Sequence, residues 1–85
     1  MNIKIKVAAA LREHLPDNLE VTKGRLELDV AEGVTPADVI ELLNIPSEQR
    51  LMVIVDDAMV PRTEYNTLSL KANQSISLNP PIQAG

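Results

Sequence analysis

The chain has 85 residues, 45% of them apolar and 24% charged, with one Tyr and no Cys, Phe or Trp. That length and balance specify one globular domain with an aliphatic core and exclude wholesale disorder. Twelve carboxylates outnumber eight scattered Lys and Arg for a formal charge of −4, so no basic stripe exists to hold nucleic acid. Without Cys there is no disulfide framework, no thiol nucleophile and no thiolate metal site.

In chain order, residues 2–7 (NIKIKV) alternate polar and apolar with β-branched side chains on the apolar face, which predicts a half-buried strand. Lys4 and Lys6 interrupt any apolar run at the start. No stretch approaches the length of a membrane span, and the opening residues lack the basic-then-apolar pattern expected of a leader. The expectation is a cytoplasmic protein with no membrane partner. The alternation lapses after Val7, and the Leu11/Leu15 spacing suggests a short helical turn before Pro16.

Residues 25–30 (RLELDV) alternate again, bracketed by Lys23-Gly24 and Glu32-Gly33, and their apolar side matches that of the first strand. Thr35-Pro36-Ala37-Asp38 has the residues of a helix start: a hydroxyl to cap, a proline for the first turn and an acid against the dipole. Val39, Ile40, Leu42 and Leu43 then supply an apolar stripe, and Pro46 ends it.

Residues 51–55 (LMVIV) are apolar at every position and read as a strand covered on both faces. With a single helix available, either Met52 and Ile54 or Leu51, Val53 and Val55 must lie on the opposite face. There they form a protein-binding patch or sit beneath the 61–74 connection. Asp56-Asp57 is a turn, residues 58–60 a brief strand, and residues 75–79 (SISLN) a last alternating strand. One main helix against a mixed sheet of four to five strands is an α+β two-layer sandwich.

Candidates for chemistry are few. His14 has no nucleophile beside it and reads as a solvent-facing residue. Asp56 and Asp57 are adjacent, so their side chains diverge rather than pair for acid/base work. The carboxylates have no metal-ligand spacing, and the glycines form no phosphate loop.

The end of the chain carries the strongest signal: residues 79–85 read NPPIQAG. The prolines fix φ and favour extended residues before them. Residues 82–85 then reach at most about 13–14 Å at ~3.3–3.6 Å per residue. Taken together, IKIKVAAALREHL, LELDVAEGVTPADVIELL, LMVIVDDAMVP and ISLNPPIQAG resemble the β-grasp, ubiquitin-like sulfur carriers. That family includes the molybdopterin-synthase small subunit (MoaD) and the thiamine-pathway carrier (ThiS). The strand running into Pro-Pro and a small-residue tail is more similar to the molybdopterin branch.

The resemblance implies a β-grasp domain over residues 1–81 and a flexible tail over 82–85. Gly85 is then the reactive group, its carboxylate converted to an acyl-adenylate and next to a thiocarboxylate, while Ile82, Gln83 and Ala84 deliver it. Met52, Ile54, Pro80 and Pro81 would contact partners. The implied partners are an adenylyltransferase related to ubiquitin-activating enzymes, which uses ATP and magnesium, and the large subunit of molybdopterin synthase. The chain itself would be a carrier rather than an enzyme, with no bound cofactor or metal. Where the family pattern ends Gly-Gly, this chain has Ala84-Gly85, a substitution an extended tail accommodates because its φ is negative. The same fold also serves a thiamine-pathway carrier, a protein modifier joined to lysines through Gly85, or an interaction module whose tail is not activated.

Overall fold

Alternation builds the sheet. In the computed structural model, which describes residues 1–46 and 48–81, the first pattern becomes β1 (Asn2–Val7). Its Ile3, Ile5 and Val7 are buried and its Asn2, Lys4 and Lys6 exposed. β2 (Arg25–Asp29), α1 (Pro36–Leu42), β3 (Met52–Val55), β4 (Ala58–Val60) and β5 (Ser75–Asn79) follow, with short 3-10 segments at Ala9–His14 and Arg62–Glu64.

The five strands form one mixed sheet in the order β2-β1-β5-β3-β4. β1 and β5 pair in parallel at its centre, and every other pairing is antiparallel. The α+β, β-grasp arrangement expected from the sequence is therefore the one observed. Ile3 and Ile5 sit opposite Leu28 and Leu26, so the two apolar strand faces combine. Their partnership is closed by a long connection that ends in a two-residue turn at Lys23-Gly24, both with positive φ.

α1 starts as its residue types dictate. The Thr35 hydroxyl accepts from the Asp38 amide at 3.3 Å, and the Asp38 carboxylate accepts from the Thr35 amide at 3.0 Å, a reciprocal capping box. Its end is equally defined. The Ile45 amide donates to the Ile40 carbonyl and the Asn44 amide to that of Glu41, with Asn44 at φ 60°. This is the Schellman arrangement, with Asn taking the left-handed position that glycine usually fills.

The helix buries Val39 and Leu43 against the sheet. The core is aliphatic throughout, and each fully buried Leu or Ile contributes about 1.5–3 kcal/mol relative to exposure. Ile5, Ile76, Leu78 and Val53 anchor it from adjacent strands.

Two expectations fail for one reason, the limited extent of the covering layer. The 51–55 run is not covered on both faces: Val53 and Val55 are buried, whereas Met52 and Ile54 are only half-buried on the side away from the helix. The 61–74 connection does not roof them. It is fastened to the helix side, where the Ala37 amide donates to the Tyr65 carbonyl and the Leu70 amide to that of Val34. Leu42 likewise does not belong to the buried stripe. Leu42 and Ile40 flank the Val39/Leu43 line on opposite sides; Ile40 packs against the core, while Leu42 is 51% exposed.

Candidate functional site

β5 lies in the middle of the sheet, between parallel β1 and antiparallel β3. Whatever follows it leaves from the centre of one sheet end rather than from an edge. Asn79 is opposite Met52, and the Leu78 carbonyl accepts from the Ala8 amide at 3.0 Å. The chain is thus clamped on both sides up to the first proline. Pro80 is exposed, and Pro81 is half-buried, lining a groove with Leu51, Tyr65, Arg50 and Arg62.

Tyr65, the only aromatic residue, ties this groove together. Its hydroxyl donates to the Leu51 carbonyl at 3.2 Å, just before β3 begins. Burial pushes the phenol above its ordinary value of 10.0, partly opposed by the nearby Val53 amide and the charge of Arg62.

The open face of the sheet is read most clearly as rows across the strands. One row places Arg25 of β2 opposite Lys6 of β1, Lys6 beside Ser77 of β5, Ser77 opposite Ile54 of β3, and Ile54 opposite Met59 of β4. One half of that row is cationic and the other apolar, with a hydroxyl between. Met52 and Ile54 are half-buried here, and Met59 is 66% exposed. Met52, two residues before Ile54 and opposite Asn79, extends this apolar half toward the end of β5 and the proline pair. Sequence reasoning misses Met59, because the three residues of β4 (AMV) are all apolar and carry no alternation to mark the outward face.

The other sequence candidates do not assemble into a site. His14 is half-buried rather than solvent-facing, because the 3-10 turn lays it against the body, and its Nε2 is 3.8 Å from Glu13. Asp56 is structural: its carboxylate accepts from the Ser75 amide and from the Gln74 side chain, each at 3.0 Å. Asp56 and Asp57 both have positive φ and form the tight turn between β3 and β4. Among the described residues, no group of His, Cys, Asp and Glu has the geometry to hold a metal ion. No helix there is long and apolar enough to cross a membrane. Ile82, Gln83, Ala84 and Gly85 lie outside the described residues.

The ThiS family model matches residues 5–85. The chain belongs to the ThiS family. That makes it a ubiquitin-like sulfur carrier, of a kind that generally serves an activating enzyme and a sulfur acceptor rather than catalysing a reaction itself.

Among solved structures, SAMP1 from Haloferax volcanii superposes with a TM-score of 0.66 at 15% identity, over 100% of both chains. At that identity the likeness is one of fold. No curated protein sequence matches the chain significantly. The ThiS-family match includes the NPPIQAG stretch, so the family pattern and the central placement of β5 bear on the same end of the molecule.

Proposed function

We propose that this ThiS-family chain carries sulfur as a thiocarboxylate on Gly85 and delivers it to molybdopterin synthesis. The single observation that supports this most is the run of β5, the central strand, into Pro80-Pro81 and a short small-residue segment, all within the family match. Residues 1–81 are then the body and 82–85 the delivering tail.

A free carboxylate, with a pKa of roughly 3.3–3.7, is an anion at neutral pH and a poor electrophile. The adenylyltransferase, with ATP and magnesium, supplies the remedy. A Gly85 carboxylate oxygen attacks the α-phosphorus of ATP, pyrophosphate departs, and an acyl-adenylate forms. Hydrosulfide then attacks the acyl carbon, AMP leaves with the C–O electron pair, and one proton is released to leave the thiocarboxylate. Nothing in these steps requires a catalytic group from the chain itself. Its residues hold and present: Pro80 and Pro81 stiffen the base, and Met52 and Ile54 give the partner an apolar surface beside it. The acceptor in this reading is the large subunit of molybdopterin synthase.

A second reading, delivery to a thiamine-pathway acceptor, is favoured by the family model that matches. Incubation with ATP, magnesium, sulfide and the adenylyltransferase of the same organism tests the common chemistry. Intact-mass analysis should show replacement of one oxygen by sulfur, lost on removal of Gly85. An unchanged mass would favour an interaction module, and protein conjugates would favour a modifier. Supplying the thiocarboxylated chain to each candidate acceptor then decides between the two pathways.

A further inference from the structure

We infer that Lys6 and Arg25 form a second docking point on the open sheet face, one that takes carboxylates of the adenylyltransferase that activates the tail. The inference rests on the carrier reading above and adds the chemistry of the partner's surface.

Lys6 and Arg25 are directly opposite one another in the antiparallel β1–β2 pair, and both are exposed. Neither makes an ion pair among the described residues. Like charges in directly opposed positions destabilise a ladder, and the nearest carboxylates, Glu27 diagonal to Lys6 and Glu20 in the same groove, form no ion pair with either cation. General basicity does not explain the pair, because the chain as a whole carries −4.

The neighbouring residues narrow what the pair can hold. Lys4, two residues along, faces Glu27 across the strands, so its charge has an opposite number in register. All three cations line one groove together with Ser77, Glu20 and Glu27. Carboxylates at Glu20 and Glu27 repel a long polyanion. They leave room for one or two Asp or Glu side chains seated on Lys6 and Arg25, the latter with the planar fork that carboxylates fit.

The same row continues through Ser77 to Ile54 and Met59. Three strand spacings of ~4.7–4.9 Å separate the middle of the cationic pair from the middle of the apolar pair, about 14 Å. The matching partner surface therefore has an apolar side chain with carboxylates about 14 Å away across the strand direction. The apolar end supplies desolvated contact, while the charged end sets orientation and speeds encounter.

The test uses the full chain and its adenylyltransferase, with association measured at about 0.1 and 1 M salt, between which the Debye length falls from ~10 to ~3 Å. Lys6→Glu should raise the thermal midpoint, since it turns a repulsion into an attraction. It should also weaken partner binding by about tenfold or more, mainly through slower association. Lys6→Ser combined with Arg25→Ser should weaken binding and remove most of the salt dependence without added negative charge. Stability and binding thus move in opposite directions, which a structural role for Lys6 would not produce. If the wild-type chain gains sulfur yet both variants bind as it does with the same salt dependence, this inference falls and the carrier reading stands. Competition by inorganic phosphate at low concentration would also overturn it, in favour of a small-anion site. If the wild-type chain never gains sulfur, the carrier reading fails and takes the inference with it.

Discussion

The helix side of the sheet and its open side are made by alternate residues of the same strands, yet they differ in almost every property. On the helix side, Ile5, Ile76, Leu78 and Val53 are sealed beneath α1 and the 61–74 connection. On the open side, the intervening Lys6, Ser77 and Ile54 are exposed or half-exposed and change from charged to apolar within a few strands. The first face is uniform because burial rewards only apolar volume. The second is graded, and a graded surface is unnecessary for folding. Position along a strand thus separates what holds the molecule together from what is available to a partner.

Neighbouring positions on β5 give the sharpest test. Leu78→Ala removes a side chain with no exposed surface and should cost about 2–5 kcal/mol, read as a lower denaturant midpoint. Ser77→Ala, one residue earlier on the opposite face, should stay within about 0.5 kcal/mol. Comparable losses would mean that the open face carries the fold as much as the sealed one does.

Gly24→Ala should come next in size. Gly24 has φ +77°, and an added Cβ would run into the Arg12 guanidinium and lie 3.1 Å from the Val7 carbonyl oxygen. We expect a loss of about 1–3 kcal/mol, measured by thermal or chemical unfolding. Because this turn precedes Arg25, the variant also asks whether the cationic half of the open face depends on the turn.

Ile54→Asp should lower affinity for the adenylyltransferase by at least about tenfold, or ~1.4 kcal/mol, with the unfolding midpoint little changed. Collapse of stability instead would move Ile54 to the sealed side of the comparison.

Tyr65→Phe should cost less than the core and turn variants, about 0.5–1.5 kcal/mol for loss of the hydrogen bond to the Leu51 carbonyl. It also predicts a pH dependence. The folded-state phenol lies above the ordinary 10.0, so the folded chain keeps a proton that the unfolded chain has released. That stabilising difference is present below the unfolded value and is lost as pH rises from about 10 through the raised value. Unfolding followed at alkaline pH should show this decline in the wild-type chain. The same decline in Tyr65→Phe would assign it elsewhere.

Much of the architecture is legible in the order of the amino acids alone. The alternation in residues 2–7 and 75–79 places those strands within a residue, and Thr35 and Asp38 announce the capping box three positions apart. What escapes has identifiable causes. A run such as LMVIV has no polar member to mark its outer face, so the placement of Met52 and Ile54 depends on where the single covering layer lies. Ile40 and Leu42 are equivalent by helical angle; only the neighbours on each side distinguish them. The opposition of Lys6 and Arg25 is a matter of register, and the connection between β1 and β2 is too long for turn geometry to fix it from sequence. Tail residues Ile82 to Gly85 are legible as a motif, through the proline pair and the small terminal residues, rather than through any periodicity.

The central position of β5 has a mechanical consequence. Its ladders to β1 and β3 run across the strand on both sides. Tension applied at Pro80 along the strand therefore loads those hydrogen bonds together in shear, whereas an edge strand pulled outward would unzip one bond at a time. A pull on this end is therefore shared across ladders on both sides of the strand before any single bond must yield.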